Sequence, residues 1–539
     1  MTSSSAAPAQ PALTRPDARD RLWWAALVGL CVVLLAPLLV VDVPPLVDYP
    51  NHLARAFVLA SLPDDTVLAR FYTPHWSIIP NLALDLIAPP LIHVLPVHVV
   101  GRLLIAIAVL LPVLGTVAYN AALTARSPDA SSPAPRHAPK QTGRWWSLGV
   151  SLIGYNSCLL YGFLNFEISL GLALLLAAAW LRWRETRPRS AITLAIIGTP
   201  ALFACHLMGL VFFGLLVGGA ELYQLYRVRH ANLARAALAR GAMLVLVFAA
   251  PAVLYVISAL QQLGGDAEFL PWGKKLLQLV MTFVNYSWPL DLMTAAVAIT
   301  IPAICLCLRW GRVPGPAACA IGLLLITFLA VPYAWKGTSA LDTRFAIMLG
   351  FMLFAGFVPV SVPPGFRAFA GGALVLLFVA RMTLLTTAWA EHRTDLADLR
   401  AVLAPVQPGQ AVYVAEAGIK EAKAYWDANP RWRLLSDGTR TDEHIGALIL
   451  IEHRAYWPFE FDIPSQQPIE TREPYRTLAS RVGYMPNRAA AAIADVCGFD
   501  YVLLLAPDAV PGLPAQRFRL LARSGFSALY AITKCKGTS

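Results

Sequence analysis

The chain has 539 residues, 57% of them hydrophobic and only 14% charged, against roughly 25% charged in an average soluble domain, which excludes a single soluble globule. Its net charge of +11 lies wholly before Glu391: from there onward 17 basic and 17 acidic residues cancel, leaving 26 basic against 15 acidic residues upstream. The excess is therefore a topology signal rather than a nucleic-acid surface.

Residues 1–21, rich in Ser, Ala and Pro, read as a disordered cytoplasmic N-terminus. The apolar run 22–41 is too long for a signal-peptide core and no A-x-A site follows, so it reads as an uncleaved first span. Apolar runs of about 18 or more residues recur as far as Trp389, each long enough to cross a hydrocarbon core of roughly 30 Å. Spans at 22–41, 102–123, 145–161, 168–183, 190–206, 207–226, 241–261, 291–308, 315–332, 345–360 and 368–389 give eleven crossings, an α-helical polytopic membrane protein with its termini on opposite sides. With the N-terminus inside, 18 basic residues fall on the cytoplasmic side and seven on the other, a strong positive-inside bias. The same bias keeps 82–98, apolar but broken by Pro89, Pro90 and Pro96, lying along the outer face rather than crossing. A long first outer loop, 42–101, then belongs to the membrane domain 22–390.

Residues 391–539 read as a small extracytoplasmic α/β domain, with strands at 411–415, 447–451, 501–505 and 529–532 and a helix near 488–496. Six cysteines sit in apolar spans. Cys497 and Cys535 sit in the polar tail, where a periplasmic compartment would let them pair, or leave two separate thiols.

The densest concentration of reactive groups directly follows the first span: Asp48-Tyr49-Pro50-Asn51-His52-Leu53-Ala54-Arg55. Ionisable groups at membrane depth are costly and tend to serve a function. If Pro50 opens a helix, His52 and Arg55 share a face and Asp48 precedes the N-terminus, either as a reactive carboxylate or as a helix cap. Other outer-face groups are compatible with a site. The short hairpin 161–167 carries Asn165 and Glu167. His206 ends an apolar run, as a ligand or a packing residue. Lys336 and Arg344 lie in the last outer loop, free for an anion or engaged with Asp342. Asp85 is either a second first-loop carboxylate or, more simply, a polar-face residue of an in-plane helix. In the tail, Glu452-His453-Arg454 precedes Tyr456-Trp457-Pro458-Phe459, aromatics that suit either carbohydrate recognition or a core under a loop.

An acidic residue soon after the first span, in-plane helices, about eleven crossings and an outer C-terminal α/β domain resemble the GT-C superfamily of integral membrane glycosyltransferases, and the string Asp48 to Arg55 is similar to that of bacterial multi-pass proteins grouped with them. The resemblance implies a cell-envelope enzyme of the bacterial inner membrane that moves a hexosyl or pentosyl unit from a polyprenyl-phosphate carrier to a lipid, glycan or protein, with Asp48 as the first-loop catalytic acid. Such a reaction needs a base for the acceptor proton and positive charge for the departing phosphate. Asp48 is the candidate base. Arg344 and Lys336, then His52, Arg55 and His206, are candidates for the phosphate; Glu167, Asn165, Asp85, Tyr49 and Asn51 are candidates for the acceptor. No nucleotide loop, dinucleotide fingerprint or zinc helix is present, and a divalent metal is compatible with the outer acids without any spacing that specifies one. The competing readings are a transporter or flippase of a lipid-linked or envelope glycan precursor and a non-catalytic assembly protein. Against transport stand the missing internal repeat and the confinement of ionisable residues to span ends, with Arg381 and Glu221 as possible exceptions.

Overall fold

The structure, a computed structural model, describes residues 18–125, 139–228, 233–416, 433–482, 496–509 and 513–533. Among them eight helices are long and apolar enough to cross a membrane: Ala18–Val40, Val97–Ala125, Leu164–Trp183, Pro188–Cys205, Leu207–Arg227, Leu233–Val256, Trp288–Cys307 and Pro364–Leu403. Three expected spans differ. Gly315–Ala330 and Leu341–Ala355 have 16 and 15 residues, about 22–24 Å at 1.5 Å per residue. The expected span 145–161 is a broken path: helix Pro139–Ser147, a 3₁₀ stretch Leu148–Ile153, then a single turn Ser157–Leu160. Gly149 and Gly154 lower helix propensity here, and Asn156 starts the last turn by accepting from the Leu159 N–H. Irregular backbone at membrane depth is tolerated where protein buries it, and Val150, Leu152, Ile153 and Tyr155 are all buried.

Close helix packing positions the loop ends. Helices Val97–Ala125 and Leu164–Trp183 approach at Gly115 and Gly171, where an added Cβ on Gly171 would lie 2.5 Å from the Leu111 carbonyl carbon. Small residues at such crossings replace the hydrophobic drive that lipid cannot supply. The segment 82–98 forms Ala83–Ile92, a ten-residue helix too short to cross.

The first loop and the C-terminal region build one body. Strand Tyr72–Pro74 pairs antiparallel with Ile469–Thr471, and buried residues from both regions belong to a single apolar core. Helix Pro364–Leu403 has 40 residues, about 60 Å, twice a bilayer core. It passes unbroken through the expected boundary at 390/391, and its last turns bury Leu396, Leu399, Val402 and Leu403 in the C-terminal region.

That region holds a four-stranded sheet ordered Val412–Glu416, Tyr501–Leu505, Ser527–Ile532, Phe518–Ser524, with the first pair parallel and the others antiparallel. Three expected strands fall in it. The fourth does not: 447–451 is helical, a 3₁₀ turn Ile445–Ala447 running into Leu448–His453 and closed by Arg454 in the left-handed region. Five apolar residues carry no period that separates a buried strand from a buried helix. Cys497 is disulfide-bonded; Cys535 and the expected helix at 488–496, save its last residue, lie outside the described residues.

Candidate active site

Pro50 occupies the first turn of helix Tyr49–Ser61, and Asp48 stands at its cap position without a side-chain capping bond. The carboxylate is thus left free of the structural task its position offers. Backbone N–H groups of Val47 and Asp48 donate to the Leu160 and Tyr161 carbonyls, both at 3.0 Å, and seat the loop on the hairpin. Gly162 makes that seat possible: its φ is +89°, and a Cβ there would lie 2.8 Å from the Asp48 nitrogen.

Asp48 is 21% exposed, and its Oδ1 lies 3.4 Å from Nε2 of His444, a residue of the C-terminal region. The His444 ring packs edge-on against Phe461, ring centroids 5.0 Å apart, and Phe461 also meets His52 edge-on, ring centroids 5.6 Å apart. Glu443 stands beside them, its carboxyl raised above the usual range by burial and by the Asp48 charge, against the pull of His444 and Arg440.

Arg344 completes the mouth. It projects from the first turn of Leu341–Ala355, donates from Nη1 to the Ser339 carbonyl at 2.6 Å, and lies 4.6 Å over the Phe163 ring of the hairpin. Its Nε is buried without a hydrogen-bond partner, and the guanidinium lies within reach of the Asp48 charge. The alternative pairing with Asp342 is not observed. Asp342 faces Lys275 at 3.8 Å and accepts from the Thr343 N–H. Lys336 sits at the tip of the turn Trp335–Thr338, 5.5 Å over the Trp335 ring, with no described contact to Asp48 or Arg344.

Several other candidates spend their polar atoms inside the protein. Arg55 and Asp85 form a buried two-pronged ion pair, Nε to Oδ1 at 2.7 Å and Nη2 to Oδ2 at 3.1 Å. Asp85 is therefore neither an exposed polar-face residue nor an open second carboxylate. His52 Nδ1 accepts from Arg55 Nη2 at 3.2 Å. Burial first, then Arg55 and His444, push its pKa well below the usual value, so it supplies no positive charge. Asn51 is a pin between regions, donating to the Phe459 carbonyl and accepting from the Trp457 indole, both at 3.0 Å. Asn165 fixes the start of its helix to the start of Ala83–Ile92, accepting from the Leu84 N–H and donating to Asn81. His206 caps helix Leu207–Arg227, Nδ1 accepting from the Met208 N–H, with its ring against Phe166.

Two acceptor candidates keep unused polar atoms. Glu167 is buried with Oε1 unpartnered. Tyr49 is buried with its hydroxyl unpartnered against Gly101, and it helps line a small, mostly apolar cleft with His52, Leu53, Leu84, Leu104 and Leu164.

His444, Phe461 and Asp437, which accepts a hydrogen bond from the Tyr161 hydroxyl, escaped sequence reasoning. Their one signal is the charge density of Asp437 to His444 in an otherwise mixed tail. The tail residues that did stand out are structural. Glu452 binds Arg400 and His98, Arg454 meets Asp65 at 3.0 Å, and Tyr456, Trp457 and Phe459 are core. Among the described residues no group of three or more His, Cys, Asp or Glu side chains is placed to hold a metal ion.

No protein-family model matches the sequence, and no curated protein is significantly similar to it. Among solved structures, the crystal structure of ArnT from Cupriavidus metallidurans bound to undecaprenyl phosphate superimposes with a TM-score of 0.51 at 10% identity, covering 96% of this chain and 98% of that one. At that identity the likeness concerns fold alone, and it is a likeness over nearly the whole length, from the apolar helices to the small sheet region at the end.

Proposed function

We propose that this protein is a membrane glycosyltransferase that moves a sugar from a polyprenyl-phosphate carrier to a lipid, glycan or protein acceptor at the extracytoplasmic face of the bacterial inner membrane. The observation that carries the reading is the mouth itself. A partly exposed carboxylate, released from capping, lies within electrostatic range of a guanidinium that has no carboxylate partner among the described residues. The fold supports the donor class, since the ArnT structure of the same fold holds undecaprenyl phosphate.

In this reaction Asp48 takes the proton from the acceptor hydroxyl as its oxygen attacks the anomeric carbon. The bond from that carbon to the phosphate oxygen breaks, and the phosphate leaves with the electron pair. Arg344, aided by Lys336, holds the charge that accumulates on it. The arrangement counts Gly315–Ala330, Leu341–Ala355 and the broken segment 139–160 as crossings beside the eight long helices, with the N-terminus in the cytoplasm. Arg381 and Glu221 fit a static bundle rather than a transport path: Arg381 pairs with Asp291 at 2.7 Å, and Glu221 with Arg184 and Arg240.

The test is transfer by the purified protein from a panel of polyprenyl-phosphate sugars, with wild type and Asp48→Asn in the same liposomes. Turnover that disappears in the variant is expected. Neither turnover nor binding of any such donor would overturn the reading in favour of transport or assembly.

A further inference from the structure

We propose that His444, supplied by the C-terminal region, is the positioning residue that aims Asp48, so that this region completes the site rather than only covering it. The inference rests on Asp48 being the base. Among the described residues the Asp48 side chain has one polar partner, Nε2 of His444 at 3.4 Å from Oδ1. That separation is an ion-pair-range approach, longer than the roughly 2.7–3.2 Å of a formed N–H···O hydrogen bond; catalytic hydrogen bonds in unliganded sites are commonly long or poorly aligned and tighten when substrate binds.

The imidazole is held for this contact. It is 6% exposed, sits where Ile445 N–H closes a turn on the Asp442 carbonyl, and is braced edge-on by Phe461. Its Nδ1 is buried with no hydrogen-bond partner. A proton on Nδ1 would have no acceptor, so the tautomer that the geometry accommodates carries its hydrogen on Nε2, the nitrogen that approaches Oδ1 and can donate to it when the contact tightens. Two consequences follow for the base. One oxygen is fixed, which leaves Oδ2 for the acceptor hydroxyl. Taking a donor away from a carboxylate disfavours its charged form, so a pH profile reads the contact. Phe461 touches both His444 and His52, and His52 is locked to the Arg55–Asp85 pair. The aim of the base is thus referred back to a buried ion pair in its own loop.

Three substitutions separate aiming from packing. His444→Phe keeps a ring against Phe461 without an N–H; His444→Gln offers an amide N–H near the place of Nε2; His444→Ala removes both. The turnover number is expected to fall about 10- to 100-fold in the Phe and Ala variants, as for an ångström-scale misplacement, with the KM for donor little changed and Gln recovering much of the loss. The acidic limb of the pH–rate profile moves up in the Phe variant. The pH at which Asp48 is half-labelled by a carbodiimide, read by mass spectrometry, moves up with it and stays near the wild-type value in the Gln variant. The other charged groups facing Asp48, namely Arg344, Arg55 and Glu443, are untouched by these changes. Phe and Gln variants with equal turnover, or an unmoved labelling midpoint in the Phe variant, overturn the proposal. Labelling needs no turnover, so it decides the His444 contact even if wild type transfers nothing. Full activity in Asp48→Asn would instead sink the assignment of the base.

Discussion

Asp48 and Asp85 belong to the same loop and are the same chemical group, yet the fold gives them opposite fates. Asp85 is 2% exposed and gripped by both prongs of Arg55. Asp48 keeps about a fifth of its surface open and has a single, long contact. A buried charge is tolerated only when paired and hydrogen-bonded, so the Arg55–Asp85 pair has its charges consumed in holding helix Tyr49–Ser61 against Ala83–Ile92. A carboxylate left with solvent on one side and few partners retains the capacity to take a proton. In this loop, then, incomplete satisfaction marks the group available for chemistry.

The two largest predicted effects break this comparison from either end. Asp48→Asn is expected to cut transfer about 10²- to 10⁴-fold, the usual contribution of a general base, while the thermal midpoint in detergent stays where it was. Asp85→Asn is expected to act first on stability, with any loss of transfer following from the loosened loop. It strands a buried guanidinium, a change of about 3–5 kcal/mol, visible as a lowered midpoint or lost expression, whereas replacing the pair together, Arg55→Met with Asp85→Leu, recovers much of it. If Asp85→Asn leaves stability intact and Asp48→Asn does not, the roles have been assigned the wrong way round.

Gly162→Ala sharpens the contrast at smaller magnitude. A non-glycine residue at φ +89° costs about 1–3 kcal/mol, and the new methyl would lie within 2.8 Å of the Asp48 and Tyr49 nitrogens. The relief available is to push the loop off the hairpin, which moves the base. Turnover should fall more than stability does, measured on the same preparation. Equal activity at an unchanged midpoint would show that the hairpin can drift without carrying Asp48 along.

How much of this was legible in the sequence differs between the layers. Spans were legible because hydropathy over twenty residues overrides local detail, and the bias of basic residues kept 82–98 out of the set of crossings. The segment 145–161 was not, because composition cannot report that Asn156 and two glycines break a helix whose bundle buries the break. In the proposed site, Asp48 and Arg344 stand out in the sequence as ionisable groups in apolar surroundings, and their roles rest on the proposal above. Their sorting from Asn51 and Asn165 was not legible, since the partners that absorb those two, Phe459, Trp457 and Asn81, are supplied by distant segments, and Arg55 and Asp85 are absorbed by each other across 30 residues of loop. His444 was hidden for the same reason: its meaning comes only from the fold that brings it to Asp48.

The smallest predicted effect concerns the latch between the two regions that share the site. Glu452 of the C-terminal region accepts from Arg400 at 2.7 and 3.0 Å and from His98 at 3.2 Å, and Arg400 reaches Asp42 at 2.7 Å. Burial alone would raise the Glu452 carboxyl, but hydrogen bonds from His98 and Arg400 outweigh it and bring its pKa down to about 2. A group whose pKa is depressed on folding stabilises the fold above its unfolded value, roughly 4.3, and that stabilisation drains away as pH falls from there toward 2. Arg400 and Asp42 are 35% and 40% exposed, so solvent and salt screen the cluster and it is worth far less than the Arg55–Asp85 pair. Glu452→Gln should therefore lower the thermal midpoint slightly at pH 7 and flatten its decline between about pH 4 and pH 2, with the difference from wild type shrinking in high salt. Parallel decline of the two proteins over that interval would mean that acid opens the molecule elsewhere and that the latch does not hold the C-terminal region over the mouth.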